Sequence, residues 1–98
     1  MVLDKTRILN ILKEIKREMK LNFKVKSIGL FGSYVKDLQN ESSNIDLLVE
    51  FEKGADLFHY MGLILFLEDK FKKRVDVISK PTLKEDLRET ILQEVIYE

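Results

Sequence analysis

The chain has 98 residues, 45% apolar and 35% charged, with 17 basic against 17 acidic side chains and no cysteine. Its length and balance predict one folded domain over residues 1–98, and its neutrality gives no global attraction for nucleic acid or an anionic membrane. The missing cysteine excludes disulfides, thiolate metal sites and cysteine nucleophiles; no basic start leads into an apolar segment, so a cytoplasmic setting is expected.

Ile8, Ile11, Leu12, Ile15 and Met19 recur at helical spacing among lysines and an arginine, which predicts an amphipathic helix over 5–21. Asp4 is its expected N-cap and Asn22 its expected stop. Val25 to Phe31 reads as a strand running into Gly32-Ser33, with one helical turn over 34–38 and a polar loop over 39–43. Ile45 to Phe51 is the second strand, and its near-continuous apolar run implies burial on both faces. After a turn at Lys53-Gly54-Ala55, Asp56 is placed to cap a helix over 57–72. Leu57, Phe58, Met61, Ile64, Leu65 and Phe71 form its expected core stripe. Tyr60, Leu63, Phe66 and Leu67 widen the apolar surface beyond what one core-facing stripe needs, so part of this helix is expected to meet another protein chain. Arg74 to Ile78 is the third strand, ended by Pro81. Thr82 and Glu85 match a capping box. The last helix carries Leu87, Ile91, Leu92 and Val95. The simplest architecture for this order is a small sheet with helices packed on it.

Chemistry concentrates in residues 32–46. An apolar strand meets Gly32-Ser33; ten residues later Asn44-Ile45-Asp46 opens the next strand. Residues i and i+2 of a strand share a face, so Asn44 and Asp46 should project together. Asp76 interrupts the third apolar strand, where a lone carboxylate is costly unless it faces a site or a partner. Oxygen ligands of this kind suit a hard divalent cation carrying phosphates. Glycine lets a phosphate approach the backbone, a hydroxyl and successive N–H groups can bind its oxygens, and Lys36 lies one turn further on. Asn44 reads equally as a ligand or as a loop residue in an Asx-turn. His59, Tyr34 and Tyr97 are expected to be structural.

With these residues in view, the sequence resembles the minimal nucleotidyltransferase (MNT) family of the DNA polymerase β-like superfamily. That family's motif is Gly-Ser, ten residues, then Asp-x-Asp and an apolar run. Ser33-Tyr34, Ile45 to Phe51, the 57–71 helix, Arg74-Val75-Asp76-Val77 and Ile91-Leu92-Gln93-Glu94-Val95 extend the likeness over nearly the whole chain. The resemblance implies an α+β fold, a small mixed sheet flanked by helices as in the polymerase β palm. It implies Mg²⁺ and a nucleoside triphosphate, usually ATP, and a HEPN-type toxin as protein partner, silenced by transfer of AMP to a tyrosine. Carried over, Gly32, Ser33 and Lys36 would bind the triphosphate. Asp46 and Asp76 would be the catalytic acids and metal ligands, with Asn44 beside them.

Three positions depart from the family. Asn44 stands where the first aspartate is usual, and an amide oxygen carries no charge. Lys36 replaces an arginine, giving up bidentate phosphate geometry. Asp37 replaces a glycine; whether Asp37 or Glu41 supplies the missing acid is left open by sequence. Two functions follow: a Mg²⁺-dependent protein adenylyltransferase slowed by Asn44, or an antitoxin that blocks its partner by contact alone. Association with a second copy of the chain is also left open.

Overall fold

The computed structural model describes residues 3–98. Helix α1 (Lys5–Phe23) begins where expected: the Asp4 carboxylate accepts the Arg7 N–H at 2.8 Å, a cap worth about 1 kcal/mol. It runs two residues past the expected limit and stops at Lys24, which adopts the left-handed region and returns its N–H to the Met19 carbonyl. All five stripe residues, Ile8 to Met19, are buried.

Strands β1 (Val25–Phe31), β2 (Ile45–Phe51), β3 (Val75–Ser79) and β4 (Ile96–Tyr97) form one sheet in the order β3-β2-β1-β4. β1 is antiparallel to both β2 and β4, whereas β2 and β3 are parallel, so the sheet is mixed. The parallel pair is made possible by the crossover helix α2 (Leu57–Phe71). Helix α1 and helix α2 cover one face, burying Ile28, Leu30, Ile45, Leu47, Val49, Val75 and Val77. Helix α3 (Glu85–Glu94) belongs to the other face, where Phe31, Leu48 and Leu83 meet Ile78, Ile91, Leu92 and Val95. This is the expected α+β architecture, with β4 as an unforeseen fourth strand.

Four local expectations are corrected. In α2, Leu63, Leu67 and Phe71 are the buried residues, while Leu57, Phe58, Met61 and Leu65 are exposed, Phe58 by 85%. Of the expected stripe, Phe71 is buried and Ile64 packs against the core, but the buried face otherwise runs through Leu63 and Leu67, expected as its extension. Packing with α1 decides this: Gly62 leaves room for the Phe23 ring, whose centroid lies 5.2 Å from that of Phe66 with the planes tilted by 44°. The Thr82–Glu85 capping box does not form. Pro81 sits in a single 3₁₀ turn (Lys80–Thr82), Thr82 Oγ1 donates to the Ser79 carbonyl, and buried Leu83 is extended, so α3 starts only at Glu85. The turn after β1 begins at Gly32 itself, as a 3₁₀ turn over Gly32–Tyr34, not at residue 34. Finally, Val95 leaves the helix, and the chain turns back along β1 as β4 with Glu98 N–H donating to the Ile28 carbonyl. Gly29 permits that approach, because a Cβ there would meet Val95 Cγ2 at 2.5 Å and Tyr97 Cδ1 at 3.1 Å.

Candidate functional site

The site lies on the α3 face of the sheet, at the end where β1 finishes and the parallel strands β2 and β3 begin. Register alone brings its acids together. Asp46 is paired with Asp76 across β2–β3 and with Phe31, the residue before Gly32, across β2–β1. Side-chain alternation puts both carboxylates on the face shared by Phe31 and Leu48. Asn44 joins them, its Nδ2 donating to Asp76 Oδ2 at 3.2 Å. The neighbours in sequence, Ile45 and Val75, point into the opposite core. Asp76 differs from expectation in one respect: β3 is an edge strand, so this carboxylate is exposed and not sunk in a buried strand.

Gly32 roofs the acids. Its φ of +80° lies in the left-handed region, and a Cβ added there would run into the Asp46 carboxyl, with Cγ only 3.0 Å away. Any other residue would be strained by its backbone and would also displace Asp46. From this turn the chain closes on itself: the Val35 and Lys36 N–H groups donate to the Gly32 carbonyl and Leu38 N–H to that of Ser33. Ser33 is half-buried and Lys36 exposed beside the turn.

Asp37, where the resemblance implies a glycine, has a backbone that favours one. It too is left-handed, at φ 57°, a conformation that costs a side chain about 1 kcal/mol. Its carboxylate pairs at 3.9 Å with Lys5, both groups open to water, so the pair returns little. Asp37→Gly is therefore expected to raise Tm by about 4–8 °C, the shift that ~1 kcal/mol produces in a domain of this size; differential scanning calorimetry measures it. These contacts turn Asp37 toward α1. Glu41 lies in the exposed loop, its carbonyl accepting from Lys73 Nζ at 2.6 Å.

The acid that does reach the turn is Glu94, in the last turn of α3. Its Oε1 accepts the Gly32 N–H at 3.0 Å, and its Oε2 pairs with Lys36 Nζ at 3.3 Å. Sequence reasoning missed it because it lies 62 residues from Gly32. One signal was available: a carboxylate in the last turn opposes the helix dipole, so another contact has to hold it there. Electrostatics record the crowding. Burial first, then the charge and hydrogen bond of Asp76, then the charge of Glu94, push the Asp46 carboxyl up to about 6. Among the described residues no three carboxylate, imidazole or thiolate groups converge as a ready metal cage. What converges is a pair of acids, an amide and a small-residue turn.

His59 is structural, as expected. Its N–H donates to the Asp56 carboxylate while its Nδ1 accepts the Asp56 N–H, closing a box at the start of α2. Tyr34 is buried. No helix among the described residues is long and apolar enough to cross a membrane.

A mixed four-stranded sheet packed with three helices is the architecture of a minimal nucleotidyltransferase. A solved structure of a candidate minimal nucleotidyltransferase superposes with a TM-score of 0.81 at 33% identity, covering 96% of this chain and 95% of that one. The chain belongs to the nucleotidyltransferase domain family, whose model matches residues 12–97. A Thermococcus cleftensis protein adenylyltransferase, MntA, is 40% identical over 90 residues, covering 92% of this chain and 91% of its own length. The fold is also that of an MNT antitoxin solved with the tri-AMPylated HEPN toxin of Shewanella oneidensis, at TM-score 0.63 and 24% identity over 92% of this chain and 69% of that one.

Proposed function

We propose that this chain is an antitoxin of the nucleotidyltransferase type, transferring AMP from ATP to a tyrosine hydroxyl of a partner HEPN-type toxin in the cytoplasm. The observation that carries this reading is the pairing of Asp46 with Asp76 under Gly32. The 40% identity to a protein adenylyltransferase supports protein as the acceptor class.

The residues present fit a hard divalent ion. Two carboxylates side by side, one of them pushed up to about 6 by burial and like charge, form a place where positive charge is favoured. Asp46 and Asp76 would hold Mg²⁺, with Asn44 alongside as a neutral third group. Bound there, the ion would supply counter-charge to the phosphates of ATP.

The protein's own groups do the rest. Gly32 N–H, the Ser33 hydroxyl and the Lys36 ammonium bind phosphate oxygens and orient the triphosphate. Asp76, the more exposed acid, takes the proton of the incoming tyrosine. The tyrosine oxygen bonds to the α-phosphorus, the bond from that phosphorus to the bridging oxygen breaks, and pyrophosphate leaves with the electron pair. Asn44 leaves this reaction short of one negative charge, which slows it.

The test mixes the chain with ATP, Mg²⁺ and the toxin encoded beside it and weighs the toxin intact. One or more AMP-sized increments are expected, absent with Asp46→Ala. No increment from the wild type, under conditions where Asn44→Asp gives one, overturns the enzymatic reading.

The exposed stripe Leu57, Phe58, Met61 and Leu65 favours a second reading, neutralisation by contact. It requires that Leu65→Glu abolish neutralisation while Asp46→Ala leaves it intact. Loss of protection by Asp46→Ala in a complex that still forms rules it out.

A further inference from the structure

Glu94 makes two contacts, and both are to groups assigned above to phosphate. Its Oε1 takes the Gly32 N–H and its Oε2 takes the Lys36 ammonium, with the side chain only 17% exposed. A carboxylate and a phosphate present similar pairs of acceptor oxygens to an N–H and an ammonium. We propose that Glu94 is a built-in occupant of the triphosphate cradle, a carboxylate that holds the Gly32 and Lys36 positions closed until an incoming polyphosphate with its divalent cation displaces it. The proposal rests on the phosphate reading of Gly32 and Lys36 and adds a gate to it.

Three features support displacement over a fixed structural tie. First, the Gly32 N–H is a single donor, so a phosphate oxygen and Glu94 Oε1 compete for one hydrogen. Second, Glu94 brings negative charge to a site that already holds Asp46 and Asp76, and its location in the last turn of α3 sets it against the helix dipole. Third, once phosphate takes those partners, Glu94 would face a polyanion with nothing to balance it, so carboxylate and triphosphate cannot share the cradle. Its tether allows release. Glu94 is the last residue of α3, on a segment otherwise held by Ile91, Leu92 and Val95 against Phe31 and Leu48. A rotation of one side chain toward water opens the cradle without unpacking that cluster.

Apparent affinity falls by the fraction of molecules in which the cradle is open, so removing the occupant should restore it. Isothermal titration of the full chain with Mg-ATP, Mg-tripolyphosphate and adenosine tests this in the wild type, Glu94→Gln and Glu94→Ala. Glu94→Gln keeps an acceptor for the Gly32 N–H but frees Lys36, and it serves if the alanine variant folds poorly. Both variants are expected to bind Mg-ATP and Mg-tripolyphosphate more tightly, Glu94→Ala by about fivefold to tenfold and Glu94→Gln by less, because its amide oxygen still accepts the Gly32 N–H. Adenosine binding should be unchanged, and adding Lys36→Met should cancel the gain. Equal or weaker polyphosphate binding in both variants overturns the gate and leaves the phosphate reading standing, with Glu94 as a supporting group. Failure of every variant, wild type included, to bind either polyphosphate overturns the gate and the phosphate reading together.

Discussion

Asp46→Asn is expected to lower adenylyl transfer by about 10²–10³-fold, the loss typical when a group that stabilises developing charge is neutralised, and at the same time to stabilise the metal-free protein. The second effect follows from linkage. Asp46 titrates at about 6 in the folded chain against 3.8 ordinarily, so the fold binds its proton more tightly than the unfolded chain does. Its favourable contribution is complete below pH 4 and is lost as pH rises through 6. For a fully shielded carboxyl this rise would amount to roughly 3 kcal/mol; half-exposure to water screens it to on the order of 1–2 kcal/mol. Without divalent cations, the Asp46→Asn variant should therefore melt several degrees above the wild type at pH 7, and the advantage should vanish near pH 4. Melting curves from pH 4 to 8 in a chelating buffer check this. A variant that melts below the wild type across the range would show that the Asp46 carboxylate serves the fold.

Asn44→Asp should do the reverse. The added carboxylate supplies the charge that the resemblance implies at this position, and a gain of about 10²-fold in AMP transfer is expected. In the metal-free protein it exchanges the hydrogen bond from Asn44 Nδ2 to Asp76 for a third like charge, a loss of about 1–2 kcal/mol. Saturating Mg²⁺ should recover that stability, because an ion bound only by the folded state stabilises it by mass action. Measuring Tm against Mg²⁺ concentration and AMP transfer to the toxin on the same samples separates the two effects. Opposite signs for Asp46→Asn and Asn44→Asp, in both activity and metal-free stability, are the signature of one shared cation site. No gain in transfer from Asn44→Asp would mean that the amide position lies outside the chemistry.

Much of this site was legible because its parts are local or periodic. Alternation along β2 placed Asn44 and Asp46 on one face, and the 3.6-residue period of α1 marked all five of its buried residues. Asp4 and Asp56 announced the starts of α1 and α2, since a cap is a contact over three residues. Where signals were two-sided, pattern was insufficient. Helix α2 is apolar around most of its circumference, so periodicity could not choose its inner face. The choice fell to Gly62, whose missing side chain admits Phe23. The capping box at Thr82 failed in the same way, a correct local pattern overruled by Pro81 and by the burial of Leu83.

The sequence by itself determined the order of the three helices and the first three strands, the Gly32-Ser33 turn, and the two acids that interrupt apolar strands. Each rests on interactions between residues near in the chain, which composition and spacing report directly. Only the tertiary structure decided that Asp46 and Asp76 are register partners, that Asp76 lies on an edge, that Phe58 and Leu65 face outward, and that Glu94 reaches Gly32 from the far end of the chain. Those outcomes depend on which surfaces bury each other and which backbone donors pair, and such contacts between distant residues leave no period and no spacing to read.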